Sequence, residues 1–543
     1  MICIDGARDL IDFFPVAIQG LESTIEMSFL GYDYYLKHAD GDLNILLYTG
    51  LKKGEASSYL YSTDFFDWMS NIDLTHIDGE VCISSYFDSY TESGKCVILV
   101  EGRGSTSSPL VFEIRKSSDD SVVYSSELNM ELSSVEDMFY HKNLTGVVGG
   151  TGGVADRSST PNGLPDNGKN FVFVHGYNVN GSDARGWASE FYKRMYWSGS
   201  NAKFHAVSWY GYQTQWTAIH KTPNYHENVI NALYTAPYLR TYINSLQGDV
   251  VIAGHSLGNM VVSSAIAKYN ADVDRDFIID GAVAMECFNP SQTKVSGMVH
   301  SDWDDYYFGQ TNDFLFASEW YKLFNNDDAR HDLSWRGIFT NMNNTTIYNM
   351  YSSGENVLGN IGHDQGNIVA SPSYIWGSQE KLKGRMFEPM DWLVGSSVCG
   401  WGFNQYSYGA YTNSSGVTGI TWYAESPSVA KNINPTNLIT KPFFLKSYPD
   451  LFSTNSATAK AYAVNNNKAL LAQAIPARSF AVGRNAVDST NIYNNVNMNN
   501  YRLTLWPSSR DEDSGWQHSD VKNVSYLYTK DVYDYMVDEG GLE

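Results

Sequence analysis

The stretch from Gly248 to Ala267 constrains this chain more than any other. It runs from the apolar Val250–Ala253 into Gly254-His255-Ser256-Leu257-Gly258, then into a segment where Met260, Val261, Ala265 and Ile266 recur at helical spacing. Short, uncharged and β-branched, the first part suits a strand covered on both faces, and the last part suits a buried helix. A G-x-S-x-G turn between such elements is sharp enough to push the serine hydroxyl out at the end of a sheet. Its glycines have a physical reason, because side chains there would collide with the neighbouring strand and helix. With 45 glycines in the chain the pentapeptide alone is a weak signal, and its flanks give it weight.

The surroundings are consistent with a sheet of this kind. Asn170–His175 and Phe204–Ser208 read as strands, with a helix over Ala184–Tyr196 between them, and His226–Leu246 reads as a helix bent at Pro237. Phe277–Met285 and Thr345–Tyr351 continue the series. Strands alternating with helices predict a mostly parallel sheet with helices on both faces.

Residues 1–145 differ. Asp42–Tyr48, Glu80–Tyr86, Lys95–Glu101, Leu110–Arg115 and Ser121–Ser125 are short, β-branched or aromatic, and separated by turn residues, which predicts an antiparallel, sandwich-like domain. It contains no chemical constellation, so a covering or spacing role is expected ahead of ligand binding. Residues 146–169 are rich in Gly, Ser and Pro and read as a linker.

At 543 residues two or more domains are expected, and a formal charge of −23 argues against nucleic acid and anionic lipid as partners. Five scattered cysteines make no disulfide scaffold, although Cys82 and Cys96 could meet across a predicted hairpin. No run is apolar enough to span a bilayer. The first residues lack the pattern of a signal peptide, which fits either a cytoplasmic protein or a piece of a longer chain with its export signal upstream, and the composition leans towards an exported or cell-surface protein. The acidic loop His300–Asp305 reads as solvated rather than as a calcium site.

Phe173-Val-His-Gly-Tyr-Asn178 ahead of Gly-His-Ser-Leu-Gly resembles the α/β-hydrolase superfamily in its lipase and esterase branch. The resemblance covers about 168–360 and 500–543. It implies that Ser256 is a nucleophile and that the main-chain amides of Tyr177 and Leu257 form an oxyanion hole, with His175 a structural member of that loop. It also implies the chain order Ser, acid, His. Glu355, in the turn Tyr351–Gly359, is then the expected acid, with Asp364 and, more weakly, Asp280 as substitutes. His363 lies only eight residues beyond Glu355, too few for the intervening crossover, so His518, ahead of a helix-like Val521–Val537, is the expected base. The strand-like Tyr501–Trp506 precedes that histidine.

The expected layout is a β-rich domain (1–145), a linker (146–169), a hydrolase core (170–360 and 500–543), and a large cap or lid (361–499 with 288–341). The expected activity is cleavage of carboxylic esters through an acyl-enzyme. No cofactor or metal is expected, and the substrate would be a small-molecule or lipid-like ester. An amidase, peptidase or thioesterase would use the same residues, and a noncatalytic surface-binding protein on the same scaffold is the rival from outside enzymes.

Overall fold

The computed structural model describes residues 104–212 (except 161, 162 and 165), 225–290, 337–354 (except 343 and 353), 481–501 and 515–543. It also describes segments 12–20, 24–39, 45–49, 76–77, 80–84 and 95–102, and two short strands, 410–412 and 418–420.

In the N-terminal part the alternating strands form two antiparallel four-stranded sheets. One has the order β1 (Phe13–Gln19), β6 (Lys95–Gly102), β3 (Ile45–Thr49), β4 (His76–Ile77). The other runs β5 (Glu80–Cys82), β2 (Tyr32–His38), β7 (Leu110–Lys116), β8 (Val122–Leu128), with a short helix α1 (Thr24–Phe29) before β2. Tyr34, Leu36, Ile98, Val100 and Leu110 are buried in one shared core, as alternation in β2 and β7 requires. The hairpin proposed for Cys82 and Cys96 does not form: the two lie in different sheets, and Cys82 is a free thiol.

A third sheet is parallel throughout and seven-stranded: β9 (Tyr140–Asn143), β10 (Asn170–Val174), β11 (Lys203–Ser208), β12 (Val250–His255), β13 (Arg275–Ile279), β14 (Thr346–Tyr351) and β17 (Asn494–Asn497). Between β14 and β17 in the chain, β15 (Ala410–Thr412) and β16 (Thr418–Ile420) pair as a separate antiparallel ribbon. The spatial order in the large sheet is β17-β14-β13-β12-β10-β11-β9. Its middle strands are buried along their whole length, which is why their sequences are apolar without alternation.

Helices cover both faces. On one side, α2 (Gly181–Trp197) and the C-terminal α5 (Asp520–Asn523) and α6 (Tyr526–Gly540) pack over an aromatic layer in which Phe173 and Phe191 stack at 4.3 Å and Phe191 meets Tyr533 edge-on. On the other, α3 (Tyr225–Ile243), which contains Pro237, packs on α4 (Gly258–Tyr269).

The glycine-rich stretch after β9 packs closely against this sheet. A Cβ on Gly181 would sit 1.7 Å from the Gly152 carbonyl, so the stretch lies directly on the start of α2. The position of the site follows from strand order. From β10 the chain steps to β11 on one side and then returns to place β12 on the other, so the loops after β10 and β12 diverge and leave a crevice at their C-terminal ends. The cap region 361–480 lies outside the described residues apart from the β15–β16 ribbon.

Candidate active site

Ser256 occupies the turn between β12 and α4 with φ = +53°. A residue with a Cβ is strained there by about 1–2 kcal/mol, so the surroundings must hold it. They do so through the backbone. The Ser256 N–H donates to the Ile279 carbonyl at 3.0 Å, and the Ser256 carbonyl accepts from the amides of Asn259 (3.1 Å) and Ala282 (3.0 Å). The buried Asn259 side chain adds a third donor to that carbonyl at 3.1 Å and also bonds to the Ile279 carbonyl. The crowding inferred for the flanking glycines is present: a Cβ at Gly254 would lie 2.5 Å from Asn259, and one at Gly258 would lie 2.5 Å from the carbonyls of Val174 and His175.

The loop leaving β10 comes directly alongside. A Cβ on Gly176 would stand 2.8 Å from the Ser256 Cβ, so residues 175–178 and the serine share the crevice. This loop is rigidly tied. His175 is buried; its Nε2 accepts from the Trp209 amide at 3.2 Å and its Nδ1 then donates to the Gly176 carbonyl at 2.9 Å. The Trp209 indole donates to the His175 carbonyl at 2.7 Å, and the Asn178 amide, at φ = +60°, donates to Gly211 at 2.9 Å. Both His175 nitrogens are thus committed, and burial pushes its pKa down to about 4. It is a neutral structural residue of the loop that carries Tyr177.

Leu257 is fully buried at the start of α4, and its N–H makes no backbone hydrogen bond among the described residues. The amide after the serine is therefore available at the helix N-terminus.

His518 reaches this place from the far end of the chain. It lies in a turn ahead of α5, and its carbonyl accepts from His255 Nε2 at 2.7 Å, with the two rings 4.9 Å apart. The loop around it is pinned on each side. Trp516 donates its amide to Asn499 (2.6 Å) and its indole to Asp280 (3.2 Å), and its carbonyl accepts from Ser352 Oγ (2.7 Å). Gln517 donates its amide to Asp520 at 2.7 Å. Behind the loop, the buried Arg194 on α2 pairs with Glu190 and donates to the carbonyls of Val521 (3.1 Å) and Lys522 (3.0 Å).

Of the carboxylates expected here, one is described. Glu355 itself lies outside the described residues, as do His363 and Asp364. Its chain neighbour Gly354 packs backbone to backbone on Gly515, three residues before His518: a Cβ on Gly354 would be 2.7 Å from the Gly515 Cα. Asp280, at the end of β13, is fully buried at φ = +45° and receives the Trp516 indole, two residues before His518. Sequence order ranked Asp280 low, and its left-handed backbone and indole contact leave no trace in a sequence.

Beside the 175–181 loop is a cavity of about 430 Å³, walled by Thr145, Val179, Asn180, Ser208, Trp209 and Tyr210 among others, with no Asp, Glu, Lys or Arg in its lining. No His, Cys, Asp or Glu cluster fit to hold a metal ion occurs among the described residues. Nor is any described helix long and apolar enough to cross a membrane.

Residues 171–353 match the family described as "Alpha/beta hydrolase family". Among solved structures, an extracellular alpha/beta-hydrolase from a Paenibacillus species is 18% identical, over 22% of this chain and 45% of that one, with a TM-score of 0.16. Tomato methylketone synthase I, solved with 2-tridecanone, is 19% identical, over 27% of this chain and 50% of that one, with a TM-score of 0.16. A lipase-esterase related protein from Clostridium acetobutylicum is 11% identical, over 33% of this chain and 73% of that one, also with a TM-score of 0.16. The chain thus spans half or less of the length of the first two. A search of curated proteins found no match. With its seven-stranded parallel sheet, and with Ser256 turning from the central strand into a helix, the segment 171–353 belongs to the alpha/beta hydrolase family.

Proposed function

We propose that this chain is a serine hydrolase that cleaves carboxylic esters through an acyl-enzyme. One observation carries the reading: a serine held at φ = +53° between a tightly packed main-chain loop and a histidine loop bonded to the adjacent residue, His255. A serine hydroxyl is a poor nucleophile until a histidine takes its proton, and that histidine needs a carboxylate to orient it and balance its charge.

In this mechanism Ser256 Oγ attacks the ester carbonyl while His518 takes its proton. The amides of Tyr177 and Leu257 stabilise the oxyanion that forms. Collapse expels the alcohol, which receives the proton from His518 and leaves Ser256 acylated. Water, deprotonated by the same imidazole, then releases the acid and regenerates the serine. If the cavity beside His175 and Val179–Gly181 receives part of the substrate, its lining without Asp, Glu, Lys or Arg favours a neutral acyl or alcohol group.

Glu355 is the acid that chain order favours, and the packing of Gly354 on Gly515 supports it. Asp280 is a second reading, favoured by its buried contact with Trp516. Of the stretch read as cap, Asn494–Asn497 is instead a strand of the parallel sheet, so the cap proposed to shape the substrate pocket is 361–480 with 288–341.

The test is labelling with a fluorophosphonate, which reports an activated serine without a guess at substrate. The adduct is expected on Ser256 and is expected to vanish in Ser256→Ala and His518→Ala. Of Glu355→Gln and Asp280→Asn, the variant of the true acid slows labelling by roughly 10⁴-fold. A folded wild type that stays unlabelled after the cap is opened would favour the surface-binding reading. Labelling without ester turnover would point to an amidase, peptidase or thioesterase.

A further inference from the structure

We propose that His255 is a positioning residue that seats the His518 loop against the serine turn, through one hydrogen bond from its ring to the main chain of residue 518. The proposal rests on the roles given above to Ser256 and His518. His518 is brought to the serine across most of the hydrolase core, and proton transfer demands hydrogen-bond reach between hydroxyl and imidazole. A loop that drifts by about 1 Å loses that geometry.

The bond from His255 lands on residue 518 itself, at 2.7 Å, and Asn499 and Asp520 hold its neighbours Trp516 and Gln517. A carbonyl only accepts, so His255 Nε2 carries the proton and the ring is the donor. The ring has no freedom to serve otherwise. It is buried, lies against the Trp187 indole at 4.6 Å, and leaves so little room that Gly176 could not carry a Cβ without meeting His255 Nδ1 at 3.0 Å. That Nδ1 has no hydrogen-bond partner among the described residues. A buried nitrogen without a partner is a cost that a residue merely filling space would avoid, since an apolar ring would serve there.

Through this ring, three parts of the site meet. Ser256 follows His255 in the chain, Gly176 of the oxyanion loop abuts its ring, and the base loop hangs from its Nε2. His255 touches no reacting atom in this account. It acts through His518.

The experiment compares full-length wild type with His255→Leu, which removes the donor, and His255→Gln, whose amide nitrogen can reach the same carbonyl. His255→Leu is expected to slow fluorophosphonate labelling at least tenfold. It should also lower kcat for p-nitrophenyl acetate by a similar factor, with KM within twofold, and His255→Gln should recover to within threefold of wild type. Hydrogen exchange of the amides of 515–523 is expected to be at least tenfold faster in the leucine variant than in the glutamine variant. Should His255→Leu not fold, His255→Asn replaces it, because its amide ends short of the carbonyl. Wild-type labelling in the leucine or asparagine variant, a glutamine variant as slow as they are, or equal exchange in all would overturn the proposal. Absence of any Ser256 adduct in wild type would defeat the hydrolase reading instead, and the exchange comparison would still decide the role of His255.

Discussion

The two β-structures of this molecule handle buried charge in opposite ways. In the N-terminal sheets, Arg115 lies beside Glu113 at 2.5 Å, forks onto Glu80 and stacks over Tyr35 at 4.3 Å, while the Glu80 side chain stays 44% exposed. In the hydrolase sheet, Arg194 and Glu190 are wholly enclosed, and the guanidinium spends its remaining donors on the carbonyls of Val521 and Lys522 and the hydroxyl of Thr529. The first cluster trims the surface of a sheet. The second ties α2 to the segment that carries His518. The difference lies in what the pair is attached to: the N-terminal cluster keeps one partner, Glu80, in contact with solvent, whereas the enclosed pair is bonded to the main chain of the segment that follows His518.

The sharpest break of the comparison is chemical. Ser256→Ala and His518→Ala are each expected to lower ester turnover by roughly 10⁴–10⁶-fold without unfolding the chain. Turnover remaining within tenfold of wild type in either variant would remove that residue from the mechanism.

Next in size is the enclosed pair. Arg194→Met leaves Glu190 buried and strips the carbonyls of Val521 and Lys522 of their donors, at a cost of about 3–5 kcal/mol. Urea unfolding measures the loss, and labelling of Ser256 should fall well below that of wild type in the population that remains folded. Stability lost with labelling rate unchanged would mean that Arg194 holds the fold and not the His518 segment.

Asp276 tests the same contrast from the other side. It is the second residue of β13, fully buried, with neither carboxylate oxygen hydrogen-bonded among the described residues, and burial pushes its pKa up to about 8. A folded-state pKa raised above the unfolded value means that the native state binds the extra proton. The stabilisation is therefore complete below about pH 4 and is lost as pH rises towards 8, by about 4 kcal/mol between pH 4 and pH 7. In Asp276→Asn that slope should disappear. Parallel stability-against-pH curves for wild type and variant would show that the carboxyl titrates normally.

These residues also mark how far the sequence could be read. The middle strands were legible because burial on both faces demands runs such as Phe171–Val174, and the glycines around Ser256 because their neighbours leave no room. Position in the chain brought His518 forward as a candidate, and the main-chain carbonyl of that residue accepts from His255, the residue before Ser256. The edge strands were not legible. Asn494–Asn497 joins the sheet through its backbone alone, so its polar side chains give no signal; Tyr501–Trp506, which reads as strand, follows it, and beyond Tyr501 that segment lies outside the described residues. Tyr140–Asn143 likewise falls within the stretch read as the β-rich domain yet pairs with β11. The bond from His255 to a main-chain carbonyl was invisible for the same reason: carbonyls carry no sequence.

The smallest effect sharpens the comparison most finely. Arg115→Met removes a forked ion pair at the edge of solvent, so water can take over part of what Glu80 loses, and the expected cost is roughly 1–2 kcal/mol, less at high salt. The two regions do touch: Lys193 on α2 pairs with both Glu190 and Asp12, the residue just before β1. If the N-terminal sheets only cover the hydrolase unit, Arg115→Met will lower the unfolding midpoint slightly and leave the Ser256 labelling rate within twofold of wild type. A larger fall in labelling would mean that strain in the sheets travels through Asp12 and Lys193 to Glu190 and Arg194, making the N-terminal domain part of what holds His518 in place.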